Sequence, residues 1–229
     1  MASTDSARVI DSLVERKYLR GLLWSTPSSN PVVLVGSWAR GTANERWSDI
    51  DVLVVGDHDG PLPPPRIQLI TITRQDLGRR VRSGDDFAQW ALRFGVPLAG
   101  RHSWDELREQ LLSGAPWPEP ASQLKQARKK LKTAHDLFEM GDLPAAEEEL
   151  RFALSHLARA ELLSHRIFPL SRQELPLQLQ EAGDTRLAEM MARANSNTPM
   201  SKSAVGAAIF RVDEMLNSPE GSVSKTATP

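Results

Sequence analysis

Two short β-branched runs, Val32-Val33-Leu34-Val35 and Ile50-Asp51-Val52-Leu53-Val54-Val55, bracket the polar stretch GSWARGTANERWSD. Runs of this length and composition read as buried strands, and glycine closes each of them, Gly36 after the first and Gly56 after the second. A short polar segment held between two neighbouring strands has its ends fixed at the edge of a sheet. Its charged residues are therefore concentrated at one place in the fold.

The surroundings extend the same picture. Ser6–Trp24 spaces Val9, Ile10, Leu13, Val14, Leu19 and Leu22 at helical intervals, and STPSSNP ends that helix. After the proline- and glycine-rich DHDGPLPPP, Arg66–Thr73 (RIQLITIT) reads as a third strand, and Arg74–Leu112 as helical segments that cover the sheet. The segment SGAPWPEP cannot continue a helix and marks a boundary near Trp117. Beyond it, Ala121–Met140, Leu143–Ile167, Arg172–Ala182, Thr185–Ala194 and Ser201–Leu216 all favour helix, and Ser218–Pro229 reads as a disordered tail. The expected fold class is α/β, a small mixed sheet with flanking helices, followed by an all-α bundle. The expected domains are residues 1–117 and 118–217, with 218–229 as the tail.

Composition narrows the function classes. Of 229 residues, 28 are Lys or Arg and 29 are Asp or Glu, for a net charge of −1. Neither half carries a basic excess, which disfavours a nucleic-acid partner. The chain has no cysteine, so disulfides, zinc thiolates and thiol nucleophiles are excluded. Its N-terminus lacks the apolar core of a signal peptide, and no apolar run approaches the roughly 18 residues that span a bilayer. A soluble cytoplasmic protein without a membrane partner is expected.

Within the polar stretch, Gly36-Ser37 follows the first strand where a backbone can approach a phosphate, and Arg40 can neutralise phosphate charge. Asp49 and Asp51 stand two residues apart at the second strand and project from one face. A pair of hard oxygen ligands suits Mg²⁺ together with substrate phosphates. These residues, with Ala39, Gly41, Ser48 and Ile50, resemble the minimal nucleotidyltransferases of the DNA polymerase β superfamily. The resemblance implies that Gly36, Ser37, Arg40 and Ser48 bind the nucleotide and that Asp49 and Asp51 are catalytic and hold Mg²⁺. The implied reaction moves an NMP, by preference AMP from ATP, onto a hydroxyl of a small molecule or protein and releases pyrophosphate. The helical half would close one side of the site, and a homodimer is allowed.

One position departs from the family pattern. Active members bring a third carboxylate from the neighbouring strand, where this chain offers Gln68. Asp57, Asp59, Asp76 or the Glu147-Glu148-Glu149 cluster are the possible replacements, the last competing with a solvated helix face. Without one, the chain is a non-catalytic nucleotide-binding regulator or antitoxin-like module. The helical half resembles HEPN-type bundles, whose ribonuclease signature could be met by Arg151 and His156 or by Arg159 and His165, pairs that also arise by chance on long helices. Trp38 and Trp47 could stack on a base or pack beneath the loop. Lys125, Arg128, Lys129, Lys130 and Lys132 read as a solvated face, and the isolated His58, His102 and His135 as surface or structural residues.

Overall fold

The structure, a computed structural model, describes residues 13–43, 48–57, 60–196 and 198–217. They fall into two compact units, one ending at Pro118 and the other starting at Glu119.

In the first unit, helix α1 (Leu13–Ser25) leads into strand β1 (Val32–Val35), the short helix α2 (Gly36–Arg40), β2 (Ile50–Val55) and β3 (Ile67–Ile72). Then come α3 (Arg74–Arg82), α4 (Asp86–Phe94), β4 (Val96–Ala99) and α5 (Arg101–Leu112). The four strands form one mixed sheet in the order β3-β2-β1-β4, with β1 antiparallel to β2 and β4, and β2 parallel to β3. Alternation divides the side chains between two faces. Val32, Leu34, Ile50, Val52, Val54 and Ile67 pack with Leu19 and Leu22 of α1 and with Trp38 of α2. On the other face Val33, Val35, Leu53 and Val55 are also fully buried, with Val33 against Gly95 at the end of α4. Burial on both faces explains why β1 and residues 52–55 of β2 read as uninterrupted apolar runs.

Two helix starts in this unit follow from local chemistry. Thr73 Oγ1 accepts the Asp76 amide at 3.0 Å to open α3, and Asp85 Oδ1 accepts the Ala88 amide at 2.7 Å to open α4. Strand β4 corrects the expectation of an all-helical Arg74–Leu112. Its four residues include Pro97, which suppresses a strand signal in the sequence, but β4 is an edge strand, where a missing amide is tolerated.

The second unit is helical: α6 (Pro120–Glu139), α7 (Leu143–Ser164), α8 (Leu175–Glu181), α9 (Thr185–Ala194) and α10 (Lys202–Asn217). Gly141, at φ 83°, turns α6 into α7, and Asp142 Oδ1 accepts the Ala145 amide at 3.2 Å to start the second helix. Leu131, Leu150, Leu154, Leu162, Leu175, Leu179, Met191 and Val212 are among the buried residues of one continuous core. Among the described residues no helix is long and apolar enough to cross a membrane. The expected tail, Ser218–Pro229, and the start of the first helix lie outside the described residues.

Candidate functional site

At the site end of the sheet, β1 runs directly into α2. Gly36 adopts φ +69°, a conformation that side chains rarely take, and a Cβ at this position would run into Asp51 Oδ2 and lie 3.2 Å from its Cγ. Glycine is thus required twice over, by backbone geometry and by the carboxylate against its Cα. Gly41, at φ 70°, caps α2, and the Thr42 amide returns to the Ser37 carbonyl at 3.0 Å, so Gly36–Thr42 forms one closed turn.

Asp51 is the second residue of β2, opposite Val35 on β1 and beside Gln68 on β3. Asp49 immediately precedes the strand. The chain before it is anchored at the Ser48 carbonyl, which accepts from Trp38 Nε1 at 3.4 Å and Arg66 Nη2 at 3.1 Å. Trp38 is buried in the sheet core, so packing rather than base stacking describes it; Trp47 lies outside the described residues. Burial, and secondarily the neighbouring Asp49 carboxylate, pushes the Asp51 carboxyl up to about 6. Arg40 stacks over the Phe94 ring, 5.0 Å from its centroid, at the end of α4. Arg66 and Phe94 carried no motif signal; both are contributed by elements that meet the loop only after folding.

The structure also tests the candidate replacements for a third carboxylate. Gln68 occupies the position beside Asp51, as the sequence suggests. Because β3 runs parallel to β2, the residues after Ile72 lie past the opposite end of the sheet, roughly 16 Å along the strand from Gln68. Asp76 belongs to that far end, where it pairs with Arg79 at 2.8 Å. Asp57 follows the far end of β2, and Asp59 lies outside the described residues. Among the described residues, no group of three or more His, Cys, Asp or Glu is placed to hold a metal ion.

The acids of α7 have a different use. Arg151 binds Glu147 Oε1 at 2.8 Å, Glu148 Oε2 at 2.5 Å and the Ala194 carbonyl at 2.5 Å, and Glu147 Oε2 accepts the Met200 amide at 3.1 Å. Glu149 pairs with Lys130 at 3.0 Å. This cluster is a partly buried clamp that ties α7 to the end of α9 and the segment before α10, which corrects the expectation of a solvated face. The two Arg/His pairs serve the bundle in the same way. His156 Nδ1 meets Gln123 Oε1 at 2.7 Å, Arg159 donates to the Leu170 carbonyl at 3.3 Å and His165 meets Glu161 at 3.0 Å. Arg128 and Lys130 of the basic run are likewise engaged, with the Leu216 carbonyl and with Glu149. His102 pairs with Glu106 at 3.2 Å on the surface, and His58 lies outside the described residues.

Part of the chain is similar to known proteins. A solved structure, a nucleotidyltransferase-like protein from Exiguobacterium sibiricum, is similar at 15% identity over 88% of this chain and 73% of that one, with a TM-score of 0.45. No curated protein matches the chain. Residues 16–92, which run from α1 into α4 and include the whole Gly36–Asp51 stretch, match the family model of the nucleotidyltransferase domain, and nucleotidyl transfer in general is the activity class to which that match points.

Proposed function

We propose that the first unit binds a nucleoside triphosphate with Mg²⁺, by preference ATP, and transfers its NMP to a hydroxyl of a small molecule or protein, releasing pyrophosphate. The observation that supports this most is Asp51 packed against Gly36 with Asp49 two residues before it, the Asp51 carboxyl being pushed up to about 6 by burial and by its neighbour. The donor set fits the ion: hard carboxylate oxygens at the edge of a sheet, beside a backbone stripped of its Cβ. Asp49 and Asp51 would hold Mg²⁺. When bound, the ion supplies charge neutralisation at the phosphate oxygens and the leaving pyrophosphate. Gly36 and Ser37 admit the phosphates close to the backbone, Arg40 balances their charge, and the anchored Ser48 fixes the approach of the carboxylates. Such a reaction draws its rate from positioning and electrostatics more than from covalent chemistry by the protein.

A second function is favoured by Gln68. An amide beside Asp51, with no third carboxylate among the described residues, suits a nucleotide-binding regulator that does not turn over. Incubation with labelled ATP, Mg²⁺ and a panel of hydroxyl acceptors separates the two, with the Asp49→Ala/Asp51→Ala double variant as control. Pyrophosphate release above the control supports the transferase. Binding of Mg-ATP without release supports the regulator, and no binding at all removes both.

A further inference from the structure

Helices α6 and α10 lie antiparallel. Arg128, in the first half of α6, donates to the Leu216 carbonyl at the end of α10 at 3.0 Å, whereas Phe138, near the end of α6, lies against Gly206 near the start of α10. Between them is a groove of about 590 Å³, with Leu131, Ile209 and Leu216 among its lining and Phe138 and Phe210 beside it. Phe210 is 64% exposed, a large apolar ring left in water next to an apolar depression. Gly206 keeps that depression open: a Cβ there would come within 3.1 Å of the Phe138 ring.

The charges along the groove are arranged with an inversion. On α6 the order is Arg128, Lys132, His135, Glu139, positive at the beginning and negative at the end. On α10, Lys202 stands at the start, its ammonium 5.7 Å from the Phe138 ring, and Asp213 lies in the last turns. Among the described residues no ion pair engages Arg128, Lys132, Lys202, Glu139 or Asp213. If α6 is turned end for end about the point between Lys132 and His135, Arg128 falls opposite Glu139. If α10 is turned about the point between Gly206 and Ile209, Lys202 falls opposite Asp213 and the glycine opposite the isoleucine. The antiparallel register sets the two midpoints about one helical turn apart, so the two-fold axis that performs both reversals runs obliquely across the helices.

We propose that this groove is the docking face for a second copy of the chain, paired about that two-fold axis with Phe210 of each copy seated in the depression of the other. Two helices about 24 Å long and about 20 Å wide together cover about 500 Å² per copy. The total of about 1,000 Å² sits at the lower limit for a specific interface, which suits a reversible dimer. The chain's own residues 218–229 are the poorer occupant, with Val223 as their only large apolar side chain.

Sedimentation equilibrium of the full chain from about 1 to about 200 μM tests this, with helicity followed by circular dichroism. A reversible monomer–dimer equilibrium is expected, weakened at least about 10-fold by Phe210→Glu and by Asp213→Lys, each with wild-type helicity. Combining Lys202→Asp with Asp213→Lys restores it, since the swapped charges face one another again across a two-fold axis. Lys202 and Asp213 are both exposed, so the exchange leaves the core intact. A monomer throughout the range overturns the proposal, as does a dimer insensitive to Phe210→Glu or a charge swap that folds without restoring association. A truncation after Asn217 that turns a monomeric chain into a dimer also overturns it, because the chain's own segment then fills the groove.

Discussion

The protein holds two clusters of acids, and they are built in opposite ways. Glu147, Glu148 and Glu149 on α7 each face a cation, Arg151 or Lys130, and Glu147 also accepts a backbone amide from Met200. Asp51 has the Asp49 carboxylate as a charged neighbour, and its own carboxylate occupies the space that a Cβ on Gly36 would take. The first cluster is neutralised from within and fastens helices together. The second sets acid beside acid where glycine leaves room for a carboxylate, and under the proposed function that room takes the counter-charge of a ligand.

That contrast can be broken most forcefully at Asp51. Asp51→Ala is expected to lower pyrophosphate release by about 10³-fold or more under the transferase proposal, because it removes an interaction made at the reacting phosphates, while the thermal midpoint of the unliganded protein does not fall. Glu147→Ala should do the reverse. Loss of a buried partner of Arg151 is expected to cost about 2 kcal/mol and lower the melting midpoint of the helical unit by roughly 10 °C, with Mg-ATP affinity of the first unit unchanged in calorimetry.

A smaller effect distinguishes the clusters by pH. Folding raises the Asp51 carboxyl from 3.8 to about 6, so the folded state binds this proton more tightly than the unfolded chain. The unliganded protein therefore loses stability from this group as pH rises from about 4 to about 6, and the loss is complete above that range. After allowance for solvent screening it amounts to about 1–2 kcal/mol. Asp51→Asn should abolish this slope and raise the melting midpoint at pH 7, and Mg²⁺ should stabilise the wild type at pH 7 but not the variant. Denaturant titrations at pH 4.5 and pH 7.5 provide the comparison. The smallest effect expected is at Gln68. Supplying a carboxylate beside Asp51 with Gln68→Glu should raise turnover by about 10-fold if transfer is already under way, and an assay that stays flat would favour the regulator.

The layout of the candidate site was legible because its parts are contiguous. Gly36, Ser37, Arg40, Ser48, Asp49 and Asp51 fall within one strand–loop–strand segment, whose ends are fixed by β-branched runs that leave little choice of partner. Gln68 could be placed beside Asp51 for the same reason. Strand direction was not legible. Only the parallel pairing of β2 and β3 sends Asp76 to the far end of the sheet and removes it as a ligand. The meaning of the α7 acids was hidden too, since Ala194 and Met200, which complete the clamp, lie 43 and 53 residues from their partners Arg151 and Glu147. Strand β4 escaped notice because its identity depends on the open side of β1 more than on its own residues.

Pro97 carries a consequence for how the chain behaves in a crowded solution. It removes a donor from β4, and the irregular register between Val32 and Val33 bends the pairing of that strand. A foreign strand therefore finds no continuous ladder to extend on that side. Edge-to-edge pairing between first units through β4 is thereby disfavoured during synthesis, when newly made chains lie close together.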